Sequence, residues 1–174
     1  LMGERETDVA IIGGGITGIT CAYLLAKAGK KVICIDKEEL RYSMTACTTA
    51  FLTANIDTGL DDLIRVYGEK FARDVWFSGK EAIDDTEKII QKENISCDYM
   101  RSTEYFFGTT SKGFLGIEKE MKWAKEFGFL VERADTELSF PNTGVYALRN
   151  QAKFHPLSVN IPIRIKTRKR NHKY

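Results

Sequence analysis

Three glycines and one aspartate have the spacing of a dinucleotide-binding turn. Gly13, Gly15 and Gly18 form the pattern GxGxxG, and Asp36 follows Gly18 by 18 residues. The first glycine of such a turn allows a sharp bend, the second leaves room for a pyrophosphate, and the third lets a helix lie close to a sheet. An acid at the position of Asp36 accepts hydrogen bonds from ribose hydroxyls, which disfavours a 2′-phosphate. These residues therefore predict a dinucleotide site.

The flanking residues predict the strand, helix and strand that this turn requires. Asp8 to Ile12 and Lys31 to Ile35 have the apolar, β-branched character of buried parallel strands. Between them, Ile16 to Ala28 has apolar residues at helical spacing. The first N–H groups of that helix have no intrahelical partners and lie at the positive end of the helix dipole. The helix N-terminus is therefore a predicted site for the phosphates.

The motif by itself does not distinguish FAD from NAD. Lys37 directly follows the acid, and a cation at this place could meet the additional phosphate of NADP. A solvated surface lysine is the other interpretation of this residue. Lys37 is kept among the candidate cofactor-binding residues.

Length and composition are those of a folded protein. The 174 residues, 43% of them hydrophobic, suit one domain, or one domain and a fragment. No apolar run approaches the roughly 20 residues that cross a bilayer, and no apolar signal segment opens the sequence, so we expect a soluble, cytoplasmic protein. The initial leucine suggests a partial reading frame.

The four cysteines give no support for a metal site, because no two of them have CxxC spacing. We expect Cys21 and Cys34 to be buried thiols of a reduced compartment, whereas Cys47 falls in a predicted loop. The basic charge is concentrated in residues 164–174, which hold six of the 26 basic residues and no acid. No aromatic residues alternate with these bases, so we predict unspecific attraction to acidic surfaces and no specific nucleic acid.

The rest of the chain reads as helices followed by strands. Thr48 to Asn55 could begin a short helix, and Asp61 to Tyr67 predicts one or two helical turns with Asp61 or Thr58 as the cap. The further predictions are a helix at Glu69 to Glu93, a hairpin at residues 97–110 with its bend at Arg101 to Thr103, a helix at Ser111 to Phe127, and short strands at Phe129 to Glu132 and Val145 to Leu148. The charged face of the first long helix, which includes Asp84 and Glu87, is predicted to be solvated.

Several segments in order resemble the FAD-dependent oxidoreductases of the D-amino-acid-oxidase and glycine-oxidase type. After the glycine motif these are SMTACTTAFLTAN, ISCDYMRSTEYFFGTT and NQAKFHP, and the resemblance covers Asp8 to Leu157. The paired threonine resembles members that can continue into a Rieske iron-sulfur domain. The resemblance implies FAD as the cofactor and an α/β fold, in which a Rossmann-like FAD-binding βαβ unit of the glutathione-reductase type precedes part of an α+β substrate domain. The implied divisions are residues 1–60, 61–157 and an atypical basic tail at 158–174.

The resemblance also assigns roles to individual residues. It implies that the pyrophosphate is held by the three glycines and the backbone of Ile16 and Thr17, and the ribose by Asp36. Thr48, Thr49 and Ala50 would approach the ribityl chain and ring, with Thr45 as a further candidate. Ordinary helix-cap hydroxyls are the alternative interpretation of the threonines. His155 is expected to form a structural junction before Pro156, and no catalytic residue is assigned.

After residue 159 the sequence departs from the family pattern, since Pro162 and the basic tail replace the expected amphipathic helix. We therefore expect an incomplete chain with little turnover of its own. The main hypothesis is an FAD-dependent oxidoreductase that removes a hydride from a small amine or amino acid, with an unassigned electron acceptor. The alternatives are an NAD-binding Rossmann protein and a non-catalytic fragment with a sticky basic tail.

Overall fold

The computed structural model describes residues 5–37, 43–135 and 138–159. These residues divide into two compact units. The first unit contains residues 5–37, 43–50, 90–98 and 155–159, and the second contains residues 51–89, 99–135 and 138–154. The predicted basic tail lies outside the described residues from residue 160 onward, and the predicted domain division at residue 60 stays a prediction.

The first unit is built on a parallel strand pair joined by one helix. Strand β1 (Val9–Ile12) pairs with β2 (Val32–Ile35), and α1 (Ile16–Lys27) connects them. Beyond α1 the chain reverses at Gly29, whose φ of +81° suits a residue without a side chain. This βαβ arrangement confirms the predicted fold class.

A polar contact fixes α1 to another segment of the first unit. The Tyr23 hydroxyl donates to Glu93 Oε1 at 2.6 Å, and Lys27 Nζ lies 2.9 Å from the same oxygen. Ile19, Ala22 and Tyr23 are the buried residues of α1. Cys21 is exposed, which corrects the expectation that it is buried: it lies one position away from the buried face of the helix.

The second unit packs helices against an antiparallel sheet. Its helices are α2 (Leu60–Tyr67), α3 (Glu69–Lys92, which belongs to this unit as far as Ile89) and α4 (Ser111–Glu126). Its strands are β3 (Phe51–Leu52), β4 (Met100–Gly108), β5 (Val131–Ala134) and β6 (Gly144–Lys153). The long strand β6 pairs with all three of the others.

The core of the second unit lies between these helices and one face of the sheet. Trp76 and Leu60 are fully buried there with Leu148. The Trp76 ring meets Phe129 edge-on, with the ring centroids 5.2 Å apart. Such aromatic contacts add to the free energy gained by burying apolar area.

Three predictions of local structure were wrong. The segment predicted as a hairpin at residues 97–110 contains one strand, β4, which pairs with β6. Where a bend was predicted at Arg101 to Thr103, the strand has a bulge between Ser102 and Glu104. The predicted short helix at Thr48 to Asn55 contains strand β3. Helix α2 begins after Gly59 without a side-chain cap, because Asp61 lies within the first turn and pairs instead with Lys119.

The charged face of α3 is only partly solvated. The Arg101 guanidinium donates to Asp84 at 2.7 Å and to Glu87 at 2.9 Å, and it also donates to the backbone oxygen of Asn150 at 2.9 Å. These contacts correct the prediction for Asp84 and Glu87, because they link α3 to the sheet. Among the described residues, no helix has both the length and the apolar character needed to span a membrane.

Candidate cofactor-binding site

The turn between β1 and α1 needs glycine at its first position. Gly13 has a φ of +108°, which side chains disfavour, and its N–H donates to Ile35 O at 2.8 Å. The chain therefore turns away from β1 at Gly13 and remains hydrogen-bonded to β2 there.

The third glycine allows the close approach of α1 to the strand before it. A Cβ atom added at Gly18 would lie 1.9 Å from the carbonyl oxygen of Gly13. No relaxation of a side chain relieves a backbone contact of this length, so any other residue would force α1 away from the turn. This is the steric role that the sequence spacing predicts.

Thr45 supplies a partner for the N-terminus of α1. Its hydroxyl oxygen accepts from the Ile16 N–H at 2.9 Å, and the residue is only 4% exposed. A Cβ atom added at Gly15 would lie 3.3 Å from the same oxygen. Thr45 thus acts in this structure as a remote cap, in line with the helix-cap interpretation of the threonines, and it holds a second loop against the glycine turn.

Asp36 lies against the glycine turn at the end of β2. Its Oδ2 accepts a hydrogen bond from the Gly14 N–H. Gly14 is buried and was absent from the predicted site, although its place inside the GxGxxG motif was a signal for it. The carboxylate therefore supports the backbone of the turn in addition to its predicted contact with ribose.

The thiol of Cys34 contacts the backbone of the turn. Its Sγ donates to Gly13 O at 3.5 Å. Burial, together with the nearby charge of Asp36, raises the pKa of the thiol, so the thiolate is disfavoured. Cys34 is a packing residue of the turn.

The remaining predicted residues lie on the loop after β2. Thr48 is exposed, and its hydroxyl oxygen accepts from Ala50 N–H at 3.3 Å. Ala50 has a φ of +65°, and Thr49 and Lys37 are exposed. The predicted contacts of these residues with the cofactor stay predictions.

A cavity of about 700 Å³ adjoins the glycine turn. It brings together seven of the predicted site residues and six residues that were not predicted for the site. The predicted ones are Gly13, Gly15, Ile16, Thr17, Gly18, Thr45 and Thr48. The additional ones are Ala10, Ile11, Ile12, Cys21, Leu25 and Met44. Asp36, Lys37, Thr49 and Ala50 are not among the lining residues. Ile12 and Met44 are 91% and 82% exposed, which leaves apolar surface at the mouth of the site.

This arrangement fits a dinucleotide. The helix N-terminus favours an anion, the glycines leave backbone accessible, and Asp36 lies at the end of the second strand. The described residues contain no group of three or more His, Cys, Asp or Glu side chains that could hold a metal ion.

Comparisons with known proteins agree with this geometry. Residues 8–162 match the family described as DAO, FAD dependent oxidoreductase. YhfW of Bacillus subtilis, named as a Rieske 2Fe-2S iron-sulfur protein, is 34% identical over 160 residues, which cover 90% of this chain and 31% of YhfW. Gamma-glutamylputrescine oxidoreductase of Escherichia coli is 26% identical over 164 residues, covering 88% of this chain and 38% of that protein.

A solved structure shows the same fold. Glycine oxidase from Geobacillus kaustophilus superposes with a TM-score of 0.67 at 15% identity, over 87% of this chain and 41% of the oxidase. The chain therefore spans between about three and four tenths of the length of these relatives. The match over residues 8–162 decides the family: the chain belongs to the DAO family of FAD-dependent oxidoreductases.

Proposed function

We propose that this chain forms the FAD-binding part of an oxidoreductase that acts on a small amine or amino acid. Bound FAD would supply the hydride acceptor. The observation that carries the proposal is the contact between α1 and the turn, where only glycine fits at position 18. The names of two relatives, gamma-glutamylputrescine oxidoreductase and glycine oxidase, support an amine or amino acid as substrate.

The residues of the chain would contribute binding and orientation. The N-terminus of α1 would stabilise the pyrophosphate, and Asp36 would accept hydrogen bonds from ribose. Thr45 would keep the loop at residues 43–50 beside the turn through its bond to Ile16 N–H. Thr48, Thr49 and Ala50 would face the ribityl chain, and Lys37 would lie beside the ribose.

The described residues contain no disulfide, which supports a proposed location in the reducing cytoplasm. No electron acceptor is assigned, because none of the described contacts selects oxygen, a quinone or a protein.

Cofactor binding is tested by reconstitution. The purified full chain is incubated with FAD, passed over a desalting column, and examined for the two visible flavin bands, and any released nucleotide is identified by mass. We expect FAD in the intact protein and in the Gly116→Ala variant, because a Cβ atom at Gly116 meets no heavy atom within 4 Å. Loss of FAD is expected in Gly15→Val, where the side chain occupies the phosphate approach. Full retention in Gly15→Val, or binding of NAD in place of FAD, would contradict the proposal.

The substrate class is tested separately with the FAD-loaded chain. A panel of amino acids and polyamines is added without oxygen, and reduction of the flavin is followed by bleaching of its absorbance. Because we expect little turnover, the predicted result is a slow single reduction of the flavin by at least one member of the panel. If dithionite bleaches the flavin and no amine does so, FAD binding stands and the proposed substrate class fails.

A further inference from the structure

An unusual pair of polar side chains lies inside the second unit. Asn55 Nδ2 donates to Glu104 Oε1 at 3.3 Å. The other oxygen of each group, Asn55 Oδ1 and Glu104 Oε2, is buried and has no hydrogen-bond partner among the described residues. The two oxygens without partners therefore belong to side chains that already share a hydrogen bond.

Two acceptor atoms without donors are costly inside a protein. An unsatisfied buried acceptor loses its hydrogen bonds to water and gains none in return. An ionised carboxylate only accepts, whereas a primary amide offers one donor edge and one acceptor edge. A charged Glu104 can therefore satisfy the amide nitrogen of Asn55 but has no proton to donate to the amide oxygen.

A single proton removes both defects. We propose that Glu104 is a neutral carboxylic acid in the folded protein and that its Oε2–H donates to Asn55 Oδ1, closing a ring of two hydrogen bonds. Each group then donates once and accepts once. This inference concerns the second unit alone and does not depend on the proposed function.

The surrounding charges favour the neutral form. Burial raises the pKa of Glu104, the Asn55 donor lowers it, and the charge of Glu120 on α4 raises it. The pKa of Glu120 is also raised. Burial and the charges of Asp61 and Asp62 raise it, and the hydrogen bond from the Leu60 N–H offsets part of this effect. The nearby charge that acts on Glu104 is thus acidic.

The ring would fix the segment after β3. Asn55 follows Ala54, whose N–H donates to the buried Gln151 side chain at 2.7 Å, and Glu104 lies on β4 opposite Leu148 of β6. The segment is therefore tied to both β4 and β6. Raising the pH would ionise Glu104 and place a charge near Glu120, which removes the Oε2–H donor and leaves only the hydrogen bond from Asn55 Nδ2.

The direct test is a titration of side-chain carboxyl carbons by NMR on the labelled full chain, supplied with FAD. The Glu104 signal is assigned by its absence in Glu104→Gln. We expect the signal to be that of the neutral carboxylic acid at neutral pH, which requires a midpoint well above the value of about 4.3 for glutamate in model peptides. A carboxylate signal at neutral pH would overturn the proposal.

The second test measures unfolding by urea as a function of pH. Because the folded protein binds the proton more tightly than the unfolded chain, its folding constant falls by up to tenfold per pH unit between the unfolded and folded pKa values. Glu104→Gln keeps one donor edge and one acceptor edge and should lose this part of the dependence. Glu81→Gln, which removes an exposed acid of α3, should retain it. Identical pH profiles for the intact protein and Glu104→Gln would refute the ring.

Discussion

At the glycine turn, contacts between individual atoms determine whether the backbone can approach a phosphate. Gly18 lies so close to Gly13 that no Cβ fits, and Asp36 bonds to the backbone of Gly14. Thr45 bonds to the first amide of α1. Substitutions at these residues should therefore change the affinity for the cofactor.

Gly18→Ala should abolish FAD retention. The added methyl group would lie 1.9 Å from Gly13 O, so α1 must move away and its N-terminus no longer points at the pyrophosphate. FAD content after desalting measures the effect. Gly116→Ala is the matched control and should bind FAD normally; equal FAD content in the two variants would show that the close packing is dispensable.

Asp36→Ala should weaken FAD binding by roughly tenfold to a hundredfold. A charge-assisted hydrogen bond contributes about 1.5 to 3 kcal/mol, which corresponds to this range of affinity. The loss of the acceptor for Gly14 N–H acts in the same direction. Titration of the apoprotein with FAD, followed by flavin fluorescence, gives the dissociation constant. An unchanged constant would mean that neither contact of the carboxylate contributes to FAD binding.

At the scale of elements, two glycines in helices have opposite surroundings. In α3, a Cβ atom added at Gly79 would lie 2.5 Å from the carbonyl oxygen of Ala54, so glycine is required for the close approach of that segment. In α4, Gly116 is exposed and faces open space. Helix propensity alone would favour alanine at both positions.

Gly79→Ala should destabilise the protein by about 1 to 3 kcal/mol, because overpacking against backbone outweighs the gain in helix propensity. Gly116→Ala should stabilise it by about 0.5 to 1 kcal/mol, since only the unfolded chain and the helix propensity change. Urea unfolding followed by circular dichroism measures both free energies of unfolding. Equal shifts in the two variants would contradict the packing of α3 against residue 54.

At the scale of the whole molecule, exposed aromatic side chains gather on the face of the sheet turned away from the core. Tyr105 and Phe107 alternate along β4 and are 43% and 44% exposed. Phe107 contacts Phe140 with the ring centroids 4.8 Å apart. An apolar patch of this kind invites association with another surface.

Phe107→Thr should therefore reduce self-association of the full chain. Threonine keeps the preference for a strand while it removes the aromatic ring from the patch. Sedimentation velocity over a range of protein concentrations measures the effect. Leu115→Gln, which removes an exposed apolar residue of α4, should leave association unchanged. If it reduces association as strongly as Phe107→Thr, the aromatic patch is not the contact.

The sequence by itself determined the βαβ unit, the three helices α2 to α4 and the family. The spacing of Gly13, Gly15 and Gly18 encodes a local steric requirement, and helical periodicity is a local property of ten to twenty residues. Both signals are complete within the segment that they describe. The position of Asp36 could be predicted for the same reason, because Asp36 directly follows β2 and the strand is itself a local pattern.

Only the tertiary structure decided how distant polar residues are satisfied. Arg101 suggested a bend, yet Asp84 and Glu87 of α3 bind its guanidinium and allow one continuous strand. Thr45 bonds to Ile16, and Asn55 to Glu104, across 29 and 49 residues of sequence. Such partners are chosen by the folded backbone that brings them together, and no local pattern of residues records that choice.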